Sequence, residues 1–194
     1  MTGQRTITVF GSATTRPGDF DYEEAQSLGG SLASMGWAVA TGGYAGTMEA
    51  VSRGAKQAGG HTLGVTCDQI EAWRGAIRNA WVDEEIRHKT LRGRLYELIQ
   101  RGQILVAMPG GIGTLSEVAL SWSLIQTGEI DPRPLILVGQ MWRATFDTFL
   151  TTAGSYVPTA HGSLLTFAGN AKEASDWIAN YAPTDRSMSS QPLT

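Results

Sequence analysis

Cysteine is nearly absent: Cys67 is the only one in 194 residues, which excludes an intrachain disulfide and a cysteine-based metal cage and suggests a reducing compartment. Lysine is almost as scarce. Lys56, Lys89 and Lys172 are the whole set, and none stands in a glycine turn, where a pyridoxal phosphate Schiff base would need one. No apolar run is long enough to span a bilayer, and no charged-then-apolar signal segment precedes Thr6, so no membrane is expected and the cytoplasm is the expected compartment. A basic excess is missing as well. The net charge of -3 argues against a general nucleic-acid binder, so no nucleic-acid partner is expected. His61, His88 and His161 are scattered without metal-ligand spacing, and no metal is expected. What remains, 42% hydrophobic and 17% charged residues with 24 glycines placed largely between apolar runs, describes a globular domain with room for a sizeable core.

The pattern along the chain alternates. Strands are expected at Thr6–Phe10, Trp37–Ala40, Thr62–Thr66, weakly at Ala80–Asp83, and then at Gln103–Met108, Pro134–Val138 and Leu164–Phe167. Helices are expected at Tyr22–Met35, about Thr47–Ala58, Arg87–Arg101, Val118–Ile125, Trp142–Thr152 and Ala171–Tyr181, while Cys67–Asn79 reads as a short helix or a flexible segment. Strand-helix alternation implies βαβ units, hence an α/β fold: a doubly wound, mostly parallel, Rossmann-like sheet in a single domain over 1–181, with a flexible tail over Ala182–Thr194. Ligands of such sheets sit at the carboxyl ends of the strands.

Two glycine turns follow strands and open on that edge. The first in importance is Pro109–Glu117, P-G-G-I-G-T-L-S-E, whose glycines permit positive φ and close approach of a ligand to backbone N–H groups. With a helix behind it, the turn is a cradle for a phosphate or other anion. The second is Gly42-Gly43-Tyr44-Ala45-Gly46, which is either a second wall of that cradle or ordinary turn chemistry. The chain end of strand one, Gly11–Thr14, lacks the G-x-G-x-x-G spacing of dinucleotide binders, and no G-x-x-x-x-G-K-[ST] is present, so neither a nicotinamide or flavin dinucleotide nor a P-loop nucleotide is expected. Glu117 has two readings. It is a reactive carboxylate at the end of the cradle, or the far end of a Thr114-x-x-Glu117 capping box bonded to the Thr114 amide. Of Arg87, Lys89, Arg92, Arg94 and Arg101, most form a solvated basic face; Arg87, Arg94 and Arg101 share one side, and one of them near the turns would bind phosphate or carboxylate. Trp122 reads as core, and the apolar helix Glu117–Gln126 as buried or partnered.

These residues resemble a known family. PGGIGTLSE matches the P-G-G-x-G-T-x-x-E signature of the LONELY GUY (LOG), or lysine-decarboxylase-like, family, and Gly42–Met48 matches its G-G-x-x-G-x-M segment. The similarity runs from about Thr6 to Ile178. It implies a Rossmann-like homodimer that hydrolyses the N-glycosidic bond of nucleoside 5′-monophosphates, cytokinin ribotides or AMP, with no cofactor. Counting back from Pro109 puts Arg94 at the arginine of the family's M-H-x-R-K segment, although Leu91-Arg92-Gly93-Arg94-Leu95 stands there. Thr41, Glu49 and Ser116 also depart from the usual pattern, and the form G-G-x-x-G-x-M-E is similar to a branch that includes molybdenum-cofactor carrier proteins, where the fold binds rather than hydrolyses.

The resemblance therefore implies catalytic roles for Glu117 and Arg94. It implies substrate or phosphate binding by Ser12, Gly42, Gly43, Gly46, Met108, Gly110, Gly111, Gly113 and Thr114. The expected ligand is a nucleoside monophosphate or a similar phosphorylated small molecule. The alternative function is a non-catalytic carrier of a nucleotide or of the molybdopterin cofactor.

Overall fold

A computed structural model describes residues 5–181, so the tail expected over Ala182–Thr194 lies outside them. In chain order the elements are β1 (Thr6–Phe10), α1 (Phe20–Ser34), β2 (Ala38–Thr41), α2 (Thr47–Gln57), β3 (Thr62–Cys67), α3 (Asp68–Arg74), β4 (Glu84–His88) and α4 (Leu91–Arg101). They continue with β5 (Ile104–Ala107), α5 (Ile112–Thr127), β6 (Leu135–Val138), α6 (Gln140–Ala153), a single turn α7 (Thr159–Gly162), β7 (Leu165–Ala168) and α8 (Ala171–Asn180). The strands form one sheet, ordered β4-β3-β2-β1-β5-β6-β7, with every pairing parallel. The expected Rossmann-like α/β architecture is the observed one.

The alternation of strand residues decides which helix packs where. Ile7, Val9, Ile104, Val106, Ile136 and Val138 point to one face and meet α1, α2 and α8 through Leu28, Leu32, Val51 and Ile178. Phe10, Leu105, Ala107, Leu135 and Leu137 point to the other and meet α4, α5 and α6 through Leu98, Val118 and Trp142. Both faces are covered, so the central strands are buried at every position, as parallel sheets require. Strand order reverses between β1 and β5. The carboxyl ends of these two strands therefore diverge into separate loops and leave a crevice, the position where doubly wound sheets take their ligands.

Three elements begin more than two residues from where the sequence reading puts them. The fourth strand is Glu84–His88 and not Ala80–Asp83. Glu-Glu-Ile-Arg-His carries no apolar alternation because it is an edge strand, and charge on an edge prevents further pairing. Consequently the helix expected from Arg87 begins at Leu91, with the Thr90 hydroxyl accepting from the Gly93 amide as its N-cap, and Arg87 is not on it. The central helix begins at Ile112, a turn and a half before Val118, because Gly113 is tolerated where the helix is only starting. Among the described residues no helix is long and apolar enough to cross a membrane.

The far end of α4 is held by Arg133. Its Nη1 donates to the carbonyls of Ile99, Gln100 and Gly102 at 3.1, 3.2 and 2.8 Å, placing a cation on the negative end of the helix. Burial lowers the Arg133 pKa from its ordinary value, partly offset by Asp131. Arg133→Ala leaves those carbonyls to water and is expected to lower unfolding free energy by about 2 kcal/mol, measured by urea denaturation. Unchanged stability would show that α4 is anchored elsewhere.

Candidate functional site

Three strand ends are tied together at one residue. The Ser12 amide donates to the Pro109 carbonyl at 3.2 Å, and the Ser12 carbonyl accepts from the Thr47 amide at 2.8 Å. The loop after β1 thus bridges both glycine turns. Its side chain turns aside, with Oγ accepting from the Thr14 amide at 3.0 Å. Close approach explains two glycines here. A Cβ on Gly46 would overlap the Ser12 carbonyl, and one on Gly110 would overlap the Thr114 hydroxyl.

The turn into α5 does not use the positive φ that its glycines permit. Gly110, Gly111 and Gly113 all have negative φ; it is Gly43 and Gly46 of the second turn that take φ of 76°. Gly111 is the N-cap, with no side-chain cap bond, and nothing lies within 4 Å of the Cβ positions of Gly111 and Gly113. The amides of Ile112, Gly113 and Thr114 form the helix's first turn and have no intrahelical acceptor. Bare backbone donors at a positive helix end, with no side chains over them, suit an anion. Met108 supports this turn from beneath: its side chain lies in the core and its carbonyl accepts the Trp142 indole at 3.0 Å, so it does not line the cradle.

The helix start also corrects the capping-box reading. With Gly111 as N-cap, Thr114 is already the third helical residue and its side chain is buried. Glu117 falls in the second turn and faces across to α4. Its Oε1 lies 3.6 Å from Arg94 Nη1, and both side chains are at most 10% exposed. Arg94 is thus the arginine that the structure brings to the turns. Arg87 is held on the edge strand by Asp68 and Glu71, and Arg101 pairs with Glu97.

Arg94 is held from several sides. Its Nε donates to the Val65 carbonyl of β3 at 2.8 Å, and Nη2 lies 4.0 Å from the Met48 sulfur. Gly42 is a glycine because a Cβ there would overlap the guanidinium. The neighbouring Thr41, where the family pattern has another glycine, accepts the Gly43 amide on its hydroxyl at 3.1 Å and shapes the same turn. Tyr44 was singled out by no sequence argument, yet it packs its ring near Arg94, with 5.8 Å between the guanidinium carbon and the ring centroid. Only its place inside the second glycine segment could have signalled it.

Glu117, by contrast, has few partners. No hydrogen bond reaches its carboxylate among the described residues. Burial pushes its pKa from 4.5 up to about 7, and the positive charge of Arg94 offsets only part of that rise. A carboxyl that exchanges its proton near neutrality, beside a fixed cation and an anion cradle, can serve as a general acid or base. The sign of the stability effect follows. Between about pH 4.5 and 7 the folded chain holds a proton that the unfolded chain has released, so stability falls as pH rises through that window. The loss is expected to be about 3 kcal/mol relative to Glu117→Gln, which has no such proton. Urea titrations of both proteins from pH 4.5 to 8 measure it, and parallel curves would contradict the assignment.

The chain as a whole is similar to known proteins. The sequence signature of the SLOG cluster4 family matches residues 4–131. A cytokinin riboside 5′-monophosphate phosphoribohydrolase of Mycobacterium tuberculosis is 30% identical over 181 residues, 90% of this chain and 93% of that one. Among solved structures, the molybdenum cofactor binding protein of Rippkaea orientalis superposes with a TM-score of 0.72 at 25% identity, over 92% of this chain and 98% of the other. The molybdenum cofactor carrier protein of Chlamydomonas reinhardtii gives 0.68 at 27% identity, over 91% and 97%.

Proposed function

The chain belongs to the SLOG cluster4 family, and within it we propose that this member is a nucleoside 5′-monophosphate phosphoribohydrolase, of cytokinin-ribotide or AMP type. The observation that carries this reading is the buried pair of Arg94 and Glu117, with the carboxyl raised to about 7, beside the open N-terminus of α5. The similarity to the mycobacterial phosphoribohydrolase along nearly its whole length supports it.

In this reading the 5′-phosphate lies on the amides of Ile112, Gly113 and Thr114, with Ser12, Gly110 and Gly111 shaping the floor. Gly42, Gly43 and Gly46 shape the opposite wall. As the bond from the ribose anomeric carbon to the base nitrogen breaks, positive charge spreads over the sugar ring, and the Glu117 carboxylate stabilises it. Water adds its oxygen to that carbon and gives one proton to Glu117, which returns it to the departing base. The products are the free base and ribose 5-phosphate. Arg94 keeps the carboxylate aimed and contacts ribose or phosphate. A homodimer belongs to the same reading, and it would cover Ile112 and Leu115, which stand exposed on α5.

A second reading, a carrier that binds a phosphorylated pterin or nucleotide without turnover, is favoured by the likeness to the two molybdenum-cofactor proteins and by Leu91–Leu95 standing where M-H-x-R-K is usual. One experiment separates them. A panel of nucleoside monophosphates is incubated with wild type and Glu117→Gln, and free base is quantified. The hydrolase reading expects base release by wild type. It also expects a loss in Glu117→Gln of about a hundredfold or more, and a kcat/KM that climbs with pH through about 7 as the carboxylate forms. Retention of intact ligand by both proteins would favour the carrier.

A further inference from the structure

Tyr44 is fixed more completely than a turn residue needs to be. Its side chain is buried, and its hydroxyl accepts from the Cys67 amide at 2.8 Å. The hydroxyl's own proton goes to the Cys67 carbonyl at 3.2 Å or to Glu71 Oε1 at 3.4 Å. Glu71 is held in turn by Arg87, whose Nη1 donates to it at 3.0 Å, while Arg87 Nε donates to Asp68 at 2.7 Å. The loop after α3 adds a further tie, for Asn79 donates from its amide to the Gly43 carbonyl and from its side chain to the Tyr44 carbonyl, both at 2.9 Å. Two guanidinium groups then approach the one ring: Arg94 at 5.8 Å, and Arg74 of α3 at 5.6 Å.

We infer that Tyr44 is a positioning residue: its ring is the surface against which Arg94 is held in line with Glu117, and α3 is the brace that keeps the ring in place. The Val65 carbonyl fixes only the Nε side of the guanidinium, and the Met48 sulfur is a weak acceptor. The electron-rich ring adds an attraction for the cation that does not compete with Glu117 for its N–H groups. Burial raises the Tyr44 pKa above its ordinary value, so the ring stays a neutral phenol across the working range.

Other charges near the pair are accounted for. Glu117 faces it from α5, Glu71 and Arg74 stand beyond the ring on α3, and Cys67 ends β3. On β4, Arg87 pairs with Asp68 and Glu71, and His88 stands 3.7 Å from Glu97. Loosening Arg94 would therefore be felt first at Glu117, the group that depends on its charge. This inference rests on the hydrolase reading for its catalytic consequence, but not for its measurement.

The test is a carbon-13 titration of the Glu117 carboxyl, made without substrate, in wild type, Tyr44→Phe and Tyr44→Leu, with kcat/KM measured as a function of pH alongside. Tyr44→Phe keeps the ring but loses the hydroxyl ties to Cys67 and Glu71, so it is expected to shift the Glu117 midpoint upward less than Tyr44→Leu does, and it is the reference for the fluorinated series below. Tyr44→Leu is expected to move the Glu117 midpoint upward. It should also lower kcat/KM at pH 7 by about fivefold to tenfold, mainly through kcat. Phenylalanines carrying one, two or three ring fluorines at position 44 withdraw electron density with little change of shape, so they give the answer even if the leucine variant does not fold. A midpoint that climbs with each fluorine supports the role. A midpoint indifferent to fluorination, or to a folded Tyr44→Leu, overturns it. If wild type releases no base from any monophosphate while the midpoint still follows the fluorines, the hydrolase reading fails and the positioning of Arg94 by Tyr44 stands.

Discussion

The buried ion pair of Arg94 and Glu117 is the constraint around which the rest is arranged. Removing two charges from water costs several kcal/mol for each, and their mutual attraction recovers this only when the remaining polar atoms find partners. Arg94 finds them in a backbone carbonyl, a thioether and an aromatic ring. Glu117 has only the guanidinium, at a separation beyond hydrogen-bond length. The imbalance raises the carboxyl's proton affinity, and it makes the pair weak as a structural cement while leaving it suited to proton transfer.

The sheet supplies the place for this pair. Arg94 comes from α4, which packs against β3 and β1, Glu117 from the helix after β5, and the two meet because α4 and α5 lie side by side on the same face of the sheet. Ser12 then joins the loops that follow these strands by main-chain bonds alone. A main-chain junction needs no side chain to make it, and the same economy appears at Gly42, where the missing Cβ is the volume that Arg94 occupies. The polar floor and the buried cation are thus built by leaving atoms out.

Much of this was legible in the sequence, and the failures have physical causes. Apolar runs alternating with helical patterns identified the covered parallel sheet, since both-face burial leaves a strong signal at Ile7–Phe10 or Ile104–Ala107. The edge strand Glu84–His88 was illegible because an edge is defined by what it avoids pairing with, and its charges mimic a loop. The glycine turn was found, and of the two properties its glycines permit, positive φ and close approach, the structure uses the second. Arg94 could be located only by counting from Pro109, because nothing in Leu91–Leu95 distinguishes a buried arginine from its solvated neighbours. Tyr44 was passed over since its partners come from α3 and α4, far away in sequence.

The departures from the family pattern take on a consistent meaning when set against these contacts. Leu91 and Arg92 are exposed, and a Cβ on Gly93 would press against His88. Arg94 is instead held by groups on β3, α2 and the second glycine turn, so its seat is independent of the residues flanking it. Thr41 likewise brings its own acceptor to the turn that it alters, and Ser116 turns its hydroxyl back to the Ile112 carbonyl. Thr41 and Ser116 thus make these hydrogen bonds without drawing on the buried pair. Such an arrangement leaves the proton-transfer machinery of the proposed reaction intact while changing the surface that meets a ligand, and that is where a difference in substrate between this chain and its relatives would arise.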